Sequence, residues 1–435
     1  MRESWTKKKV VIGPFFIVFS MVALWNIFSY PLYLLQPSYL YDFVLASLPA
    51  DGSVEIIAYV STVLTYLFLV CTYYYGPANK YTYLFQVKNT SYLTHHSLVK
   101  RWLFVAVLIL LGCAIAYVQA DYAFPLLEAG DLSRHDYNVF RKELDLTVDA
   151  TLLNFILYIL LPYQILLAFV VARKNRILLS VCTVLLLFLT SMFLLSRSTL
   201  TIPILIALMS YLAYRSASIR AVLIPSVLVF ILGASMMAYS TKEFETLSEE
   251  LTTRIFHGQW VGLPLYFWYF QDTPASVTSS LHPYIRDYFA THNIETPGRE
   301  LMRYLLPLAA EKGGAGNVPT YFVGEAYAFG GWTLVVLSTV YLSMLTLIFT
   351  WSFSRIKKSV FSCTIYGLIC FKISSGLSSG VSAFFVSGTT GLIVLCFIWG
   401  LLSRNNLAKS DTQVDSSRTP DSIYRMKNLQ LSGRH

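Results

Sequence analysis

The sequence predicts an all-α, polytopic integral membrane protein of about ten transmembrane helices, with cytoplasmic termini and a large late external loop. Three observations carry this expectation. Of 435 residues, 55% are hydrophobic and only 13% charged, against roughly 25% charged in an ordinary soluble domain. A mean hydropathy of +0.56 persists along nearly the whole chain, so its length counts membrane spans and not globular domains. Lys and Arg collect on alternate loops, as a chain with one basic face requires. Soluble enzymes, disordered chains, collagens and disulfide scaffolds are excluded.

Apolar runs long enough to cross a ~30 Å hydrocarbon core lie near 10–29, 54–75, 102–119, 151–172, 177–195, 199–214, 221–239, 330–353, 359–375 and 381–402. The run 199–214 is short and Lys372 interrupts 359–375, so nine or eleven spans also fit. Lys7, Lys8 and Lys9 precede the first run, which lacks a small-residue cleavage site and reads as a retained span. Residues 1–239 then hold helices 1–7 with an external loop at 120–150. Residues 240–329 form the late external loop, 330–402 hold helices 8–10, and 403–435 form a polar cytoplasmic tail.

The charges test this map. Twenty-two of the 33 Lys and Arg, but four of the 24 acids, fall in the tip 1–9, the loops 76–101, 173–176, 215–220 and 354–358, and the tail. The net charge of +9 is therefore a topology signal, and nucleic acid drops out as a partner. The tail, with Lys409, Ser410, Asp411, Ser416 and Ser417, reads as disordered and solvating. All six cysteines fall in or beside predicted spans, where they read as small core residues and imply no disulfide framework or zinc site.

Chemistry then has to reside in the two external loops. Residues 259–270, QWVGLPLYFWYF, are apolar and aromatic but too short to span, so they read as an interfacial or re-entrant segment. The run LHPYIRDYFATHN reads as a surface helix. Pro297 opens another helix that puts Arg299 and Arg303 on one face before Pro307 ends it. A Gly-rich turn, EKGGAGN, follows and leads through NVPTYFVGEAYAFGGW to the next span.

A pyrophosphate group wants fixed cationic donors, and guanidinium suits it because it stays charged and binds oxygen pairs bidentately. Arg254, Arg286, Arg299 and Arg303 share one loop, and Arg197 sits in the tight external turn Ser196-Arg197-Ser198. The competing reading is that these are snorkelling or salt-bridged surface residues, with Glu300 a ready partner for Arg303. His257, His282 and His292 lack ligand spacing, and no D-x-D occurs, so no metal is expected. His282, His257 or Glu325 is a candidate general base. Lys372 is the one charge well inside a predicted span, where it either faces a polar cavity or snorkels. Gly376 and Gly380 have the small-xxx-small spacing of helix packing.

The basic cytoplasmic face, the S-R-S turn and the late loop closing in GNVPTYFVGEAYAFGGW together resemble the bacterial Wzy-type O-antigen polymerases, the oligosaccharide repeat-unit polymerases. The likeness in topology covers nearly the whole chain. Its sequence core is Arg197 with Asn317, Pro319, Gly324, Glu325, Tyr327 and Gly330, and an R-x10-G pattern of such loops recurs from Arg303 to Gly314. The resemblance implies a metal-independent glycosyltransferase without cofactor, in the inner membrane with its active site facing the periplasm. Its substrate would be an undecaprenyl-pyrophosphate-linked oligosaccharide, its surroundings membrane lipid, and its partner a chain-length regulator. On that reading Arg197, His282 and Glu325 are catalytic. Arg254, Arg286, Arg299, Arg303, Trp260, Trp268, Asn317 and Tyr327 bind substrate, with Tyr266 and Tyr269 joining the two tryptophans against sugar faces or the membrane interface. An O-antigen ligase with the same donor, and a polysaccharide transporter or flippase, are the alternatives.

Overall fold

The computed structural model describes residues 13–35, 46, 48, 52–87, 95–122, 124–125, 150–171, 176–193, 201–215, 262–276, 295–307, 318, 320–378, 380–384 and 387–416. In chain order its helices are α1 (Pro14–Leu35), α2 (Ser53–Tyr75), α3 (Pro77–Val87), α4 (His95–Gln119), α5 (Ala150–Phe155), a π-helical turn (Ile156–Leu160), α6 (Leu161–Val171), α7 (Arg176–Ser191) and α8 (Thr201–Arg215). They continue with α9 (Gly262–Tyr269), α10 (Pro297–Leu305), α11 (Phe322–Arg355), α12 (Val360–Leu377), a 3-10 turn (Val381–Ala383) and α13 (Gly388–Ser416). Among the described residues there is no strand.

Six segments are long and apolar enough to cross a bilayer: Ser53–Tyr75, Ser97–Gln119, Thr151–Val170, Phe322–Arg355, Val360–Leu377 and Val381–Ser403. Leu178–Ser191 and Thr201–Arg215 are apolar but shorter. Their outward faces show why the chain is membrane-embedded. Leu64, Phe104, Val107, Leu111, Val184, Val336, Leu337 and Leu395 all stand exposed, an apolar surface that water would penalise and lipid tails accept. The inward hydroxyls meet the opposite constraint by bonding back to their own helices, as Thr62 does to Ala58 O at 2.9 Å, Thr339 to Val335 O at 2.8 Å and Ser374 to Cys370 O at 2.8 Å.

Several boundaries differ from the sequence expectation. The 76–101 segment, read as a loop, contains α3, whose last turn is pinned by Lys358: its buried ammonium donates to Gln86 O at 2.8 Å. Helix α11 begins eight residues before the predicted span and turns sharply at Gly330 and Gly331, where Gly331 takes φ 60° and ψ −153°. Only glycine holds that conformation without strain. The head of α11, Phe322–Phe329, is therefore packed protein, while Trp332, Val336 and Leu337 beyond the turn are exposed. The last run breaks into the 3-10 turn and α13, and α13 continues to Ser416, so the first half of the tail is helical despite its polar composition. Cys113, Cys363, Cys370 and Cys396 are buried as expected of core residues, but Cys71 is exposed. The predicted span 221–239 lies outside the described residues.

The centre of the bundle is aromatic. Phe85, Phe349 and Phe353 surround Tyr366, with ring centroids 5.2, 4.9 and 5.2 Å from it, joining α3, α11 and α12. Helix α8 closes on α12 where Gly367 lacks a side chain: a Cβ there would stand 2.6 Å from Ile206 O and 2.9 Å from Ser210 N.

Candidate functional site

Helices α9 and α10 pack on each other and on the head of α11, and this corner collects the described candidate residues. Pro297 begins α10 as its fixed φ favours, and Glu300 lies in the first turn. Val318 N–H donates to Gly298 O at 3.0 Å, and Ala275 N–H to Ala328 O at 2.8 Å, so the segments flanking α9 and α10 are tied to the corner by backbone.

Aromatic rings make up its substance. Phe267 lies 4.4 Å from Tyr327 and 5.2 Å from Trp332, centroid to centroid, and Tyr304 lies 5.7 Å from Trp268 and 5.3 Å from Tyr269. Trp332 and Tyr304 are each 48% exposed, so both stacks reach the surface. The Tyr269 hydroxyl donates to Glu300 Oε1 at 3.3 Å. Burial, and then the Glu300 charge, raise its phenol above the usual value.

The arginines do not pair as the sequence suggested. Arg303 bonds to Glu295 and not to Glu300, whose Oε1 accepts from Tyr269. Arg299 and Arg303 are both exposed, four residues apart on α10.

Glu325 lies in the first turn of α11 and is 6% exposed. Its Oε2 accepts from Ser382 N–H at 2.7 Å and its Oε1 from the Ser382 hydroxyl at 3.0 Å. Gly380, at φ +121°, presses its backbone on the same carboxylate: a Cβ there would fall 2.3 Å from Oε2. Among the described residues no cation pairs with Glu325. The broken connection between α12 and α13 is thus held by α11 at two points, Glu325 and Tyr341, whose hydroxyl donates to Phe384 O at 2.9 Å. Irregular backbone at such a place survives because side chains satisfy it. This geometry makes Glu325 a positioning residue for the break. The Gly376–Gly380 spacing also serves it, since Gly376 faces the Phe384 ring and Gly380 the carboxylate.

Tyr266 sits beside this carboxylate's neighbour: a Cβ on Gly324 would lie 3.3 Å from the Tyr266 ring. Its buried hydroxyl donates to Val318 O at 3.3 Å. Burial first, and the Glu325 charge second, push the phenol well above its usual value, so it remains a protonated donor.

Of the candidates read from sequence, the structure brings Trp268, Tyr327, Glu325, Arg299 and Arg303 into this one corner. Arg197, Arg254, Arg286, His282, Trp260 and Asn317 lie outside the described residues. Sequence reasoning missed Ser382, Phe267 and Tyr304, and read Gly380 only as half of a helix-packing pair. The serine and glycine density of SSGLSSGVSA, set in an apolar run, was the available signal for the break.

Compared with protein-family models, curated proteins and solved structures, the chain finds no match. What stands on fold alone is a helical, membrane-embedded protein with an aromatic, arginine-bearing corner at the head of α11.

Proposed function

We propose that the chain polymerises undecaprenyl-pyrophosphate-linked oligosaccharide repeat units at the periplasmic face of a bacterial inner membrane. The supporting observation is the corner formed by α9, α10 and the head of α11. Ring faces of Trp332, Trp268 and Tyr304 suit the apolar faces of sugars, and the exposed arginines of α10 suit phosphate oxygens. The ten-span topology with residues 240–329 outside belongs to the same proposal.

In the reaction, the acceptor sugar's hydroxyl attacks the anomeric carbon of the growing chain. The bond from that carbon to the pyrophosphate oxygen breaks, the hydroxyl proton passes to a base, and undecaprenyl pyrophosphate leaves. The donor is already activated, so the demand on the protein is cationic stabilisation of the departing charge. Arg197, with Arg254, Arg286, Arg299 or Arg303, serves that charge, and His282 takes the acceptor proton. Glu325 acts indirectly, by holding the break.

The test is chain-length distribution of surface polysaccharide in a deletion strain complemented at matched protein levels. Arg197→Lys should fail nearly as badly as Arg197→Ala, because an ammonium loses the planar fork. The loss should be about 2.7–4 kcal/mol, or roughly 10²–10³ in rate, as for removal of an oxyanion donor. Long chains from Arg197→Ala would remove this residue from the site. Polymerisation by the purified protein should survive chelation. A ligase is distinguished by supplying donor and unlinked repeat units, which only a polymerase lengthens.

The broken connection after α12, and a lysine inside that span, favour a transporter as the second reading. Lipid-linked single units trapped on the cytoplasmic side of the deletion strain would support it.

A further inference from the structure

Packing between α2 and α11 leaves a recess near the end of α2. Gly76, extended at φ −80° and ψ 176°, ends that helix, and Pro77 starts α3 as a separate helix that packs on α11. At this bend lies a cavity of about 590 Å³, walled by α1, the last two turns of α2, the start of α3 and the stretch 340–347 of α11. Its volume falls within the range of about 300–1,000 Å³ that ligand sites occupy. From Phe68 to Tyr75 the α2 wall runs ~10 Å along the helix axis.

The cavity opens on the surface that meets lipid. Phe68, Val340 and Met344 line it and are themselves exposed, in the spans Ser53–Tyr75 and Phe322–Arg355. No charged side chain lines it. Its hydroxyls are committed to the protein. Thr72 donates to Phe68 O at 2.9 Å, Ser343 to Thr339 O at 3.0 Å, Thr346 to Leu342 O at 2.8 Å and Tyr73 to Thr82 Oγ1 at 3.1 Å. With these protons placed, the wall holds out little to water, which needs roughly two to four polar partners. A phosphate, which needs cationic or hydrogen-bonding donors, is no better served. What the wall offers is dispersion contact, with the buried Phe19 ring and Leu69 behind the opening.

Hydrocarbon meets both conditions. An unfilled apolar void forfeits contacts on every wall, and a bilayer keeps alkyl chains at the mouth at all times. The wall reads no head group, so abundance selects the occupant.

We propose that this cavity seats an acyl chain of a bilayer phospholipid, lying along α2 and α11 as a fixed component of the packed bundle. The recess takes a length of one chain and leaves the head group outside it. This goes beyond the polymerase reading and does not depend on it, because it uses only the membrane-embedded helices.

The experiment places the purified full-length protein in phosphatidylcholine nanodiscs with a trace of phosphatidylcholine carrying a diazirine midway along one chain. After irradiation, mass spectrometry locates the labelled peptides. The segments 68–75 and 340–347 should be labelled about tenfold more than the plain outward surface of α4 at Phe104, Val107 and Leu111. A diazirine on the head group should not label them. Cys71→Trp and Val340→Trp, both at exposed lining positions, should fill the cavity and bring labelling down to the level of α4, with the unfolding temperature unchanged or higher. Equal labelling of α2, α11 and α4 in the wild type overturns the proposal without recourse to any variant and leaves ordinary boundary lipid. Undiminished labelling in filled variants that unfold like the wild type overturns it too. Stronger labelling by a diazirine-bearing polyprenyl phosphate at the same trace level, or cross-links joining two copies of the chain through these segments, would put a different occupant in the cavity and refute the phospholipid.

Discussion

Replacing Gly380 by alanine tests whether Glu325 and the broken connection form one unit. Two costs are expected. The backbone at Gly380 has φ +121°, and an L-residue held in such a region costs about 1–3 kcal/mol. The new Cβ would also fall 2.3 Å from Glu325 Oε2 and 2.7 Å from its Cδ, and forcing a methyl into a filled site costs about 1–3 kcal/mol more. The sum, about 2–6 kcal/mol, approaches the whole stability of many domains. The two costs separate in the Glu325→Ala background, where the clash is gone and the backbone strain stays. Unfolding of wild type, both single variants and the double variant in one detergent completes a double-mutant cycle. A coupling of about 1–3 kcal/mol is expected, with Gly380→Ala doing less harm once the carboxylate is absent. If Gly380→Ala is equally harmful in both backgrounds, the carboxylate does not press on Gly380 and the positioning role of Glu325 falls.

Tyr266→Phe should cost about 0.5–1.5 kcal/mol for the lost hydrogen bond to Val318 O. Because the folded phenol is raised above its unfolded value, Tyr266 contributes stability in full below about pH 10 that is lost as pH climbs above it, so Tyr266→Phe should show less alkaline destabilisation in unfolding curves taken from pH 9 upward. Lys358→Met removes a buried charged donor to Gln86 O and should lower stability by about 1.5–3 kcal/mol in denaturant titration; no change would mean the contact is incidental. Arg303→Ala breaks only an exposed pair with Glu295 and should shift stability by less than about 1 kcal/mol, while shortening the polysaccharide if α10 meets the pyrophosphate. Alkaline phosphatase fused after Ala290 should be active and after Lys358 inactive, and the reverse pattern would overturn the outside placement of residues 240–329.

Composition and hydropathy by themselves determined the membrane class and the approximate limits of α2, α4, α12 and the long arm of α11, because a bilayer demands apolar length and little else. Pro297, Arg299 and Arg303 on one short helix were legible too, since proline at a first turn and a four-residue spacing are local rules. The pairing of Arg303 with Glu295, and the contact of Glu300 with Tyr269 from another helix, were not legible in the spacing. Likewise the meeting of Glu325 with Ser382, 57 residues on, and of Lys372 with Tyr158, has no periodicity to announce it. Hydropathy is a property summed along a helix, whereas such contacts depend on which helix packs beside which, and on the turn at Gly331 and the π-turn at Ile156–Leu160 that aim the side chains. Those were decided only by the tertiary structure.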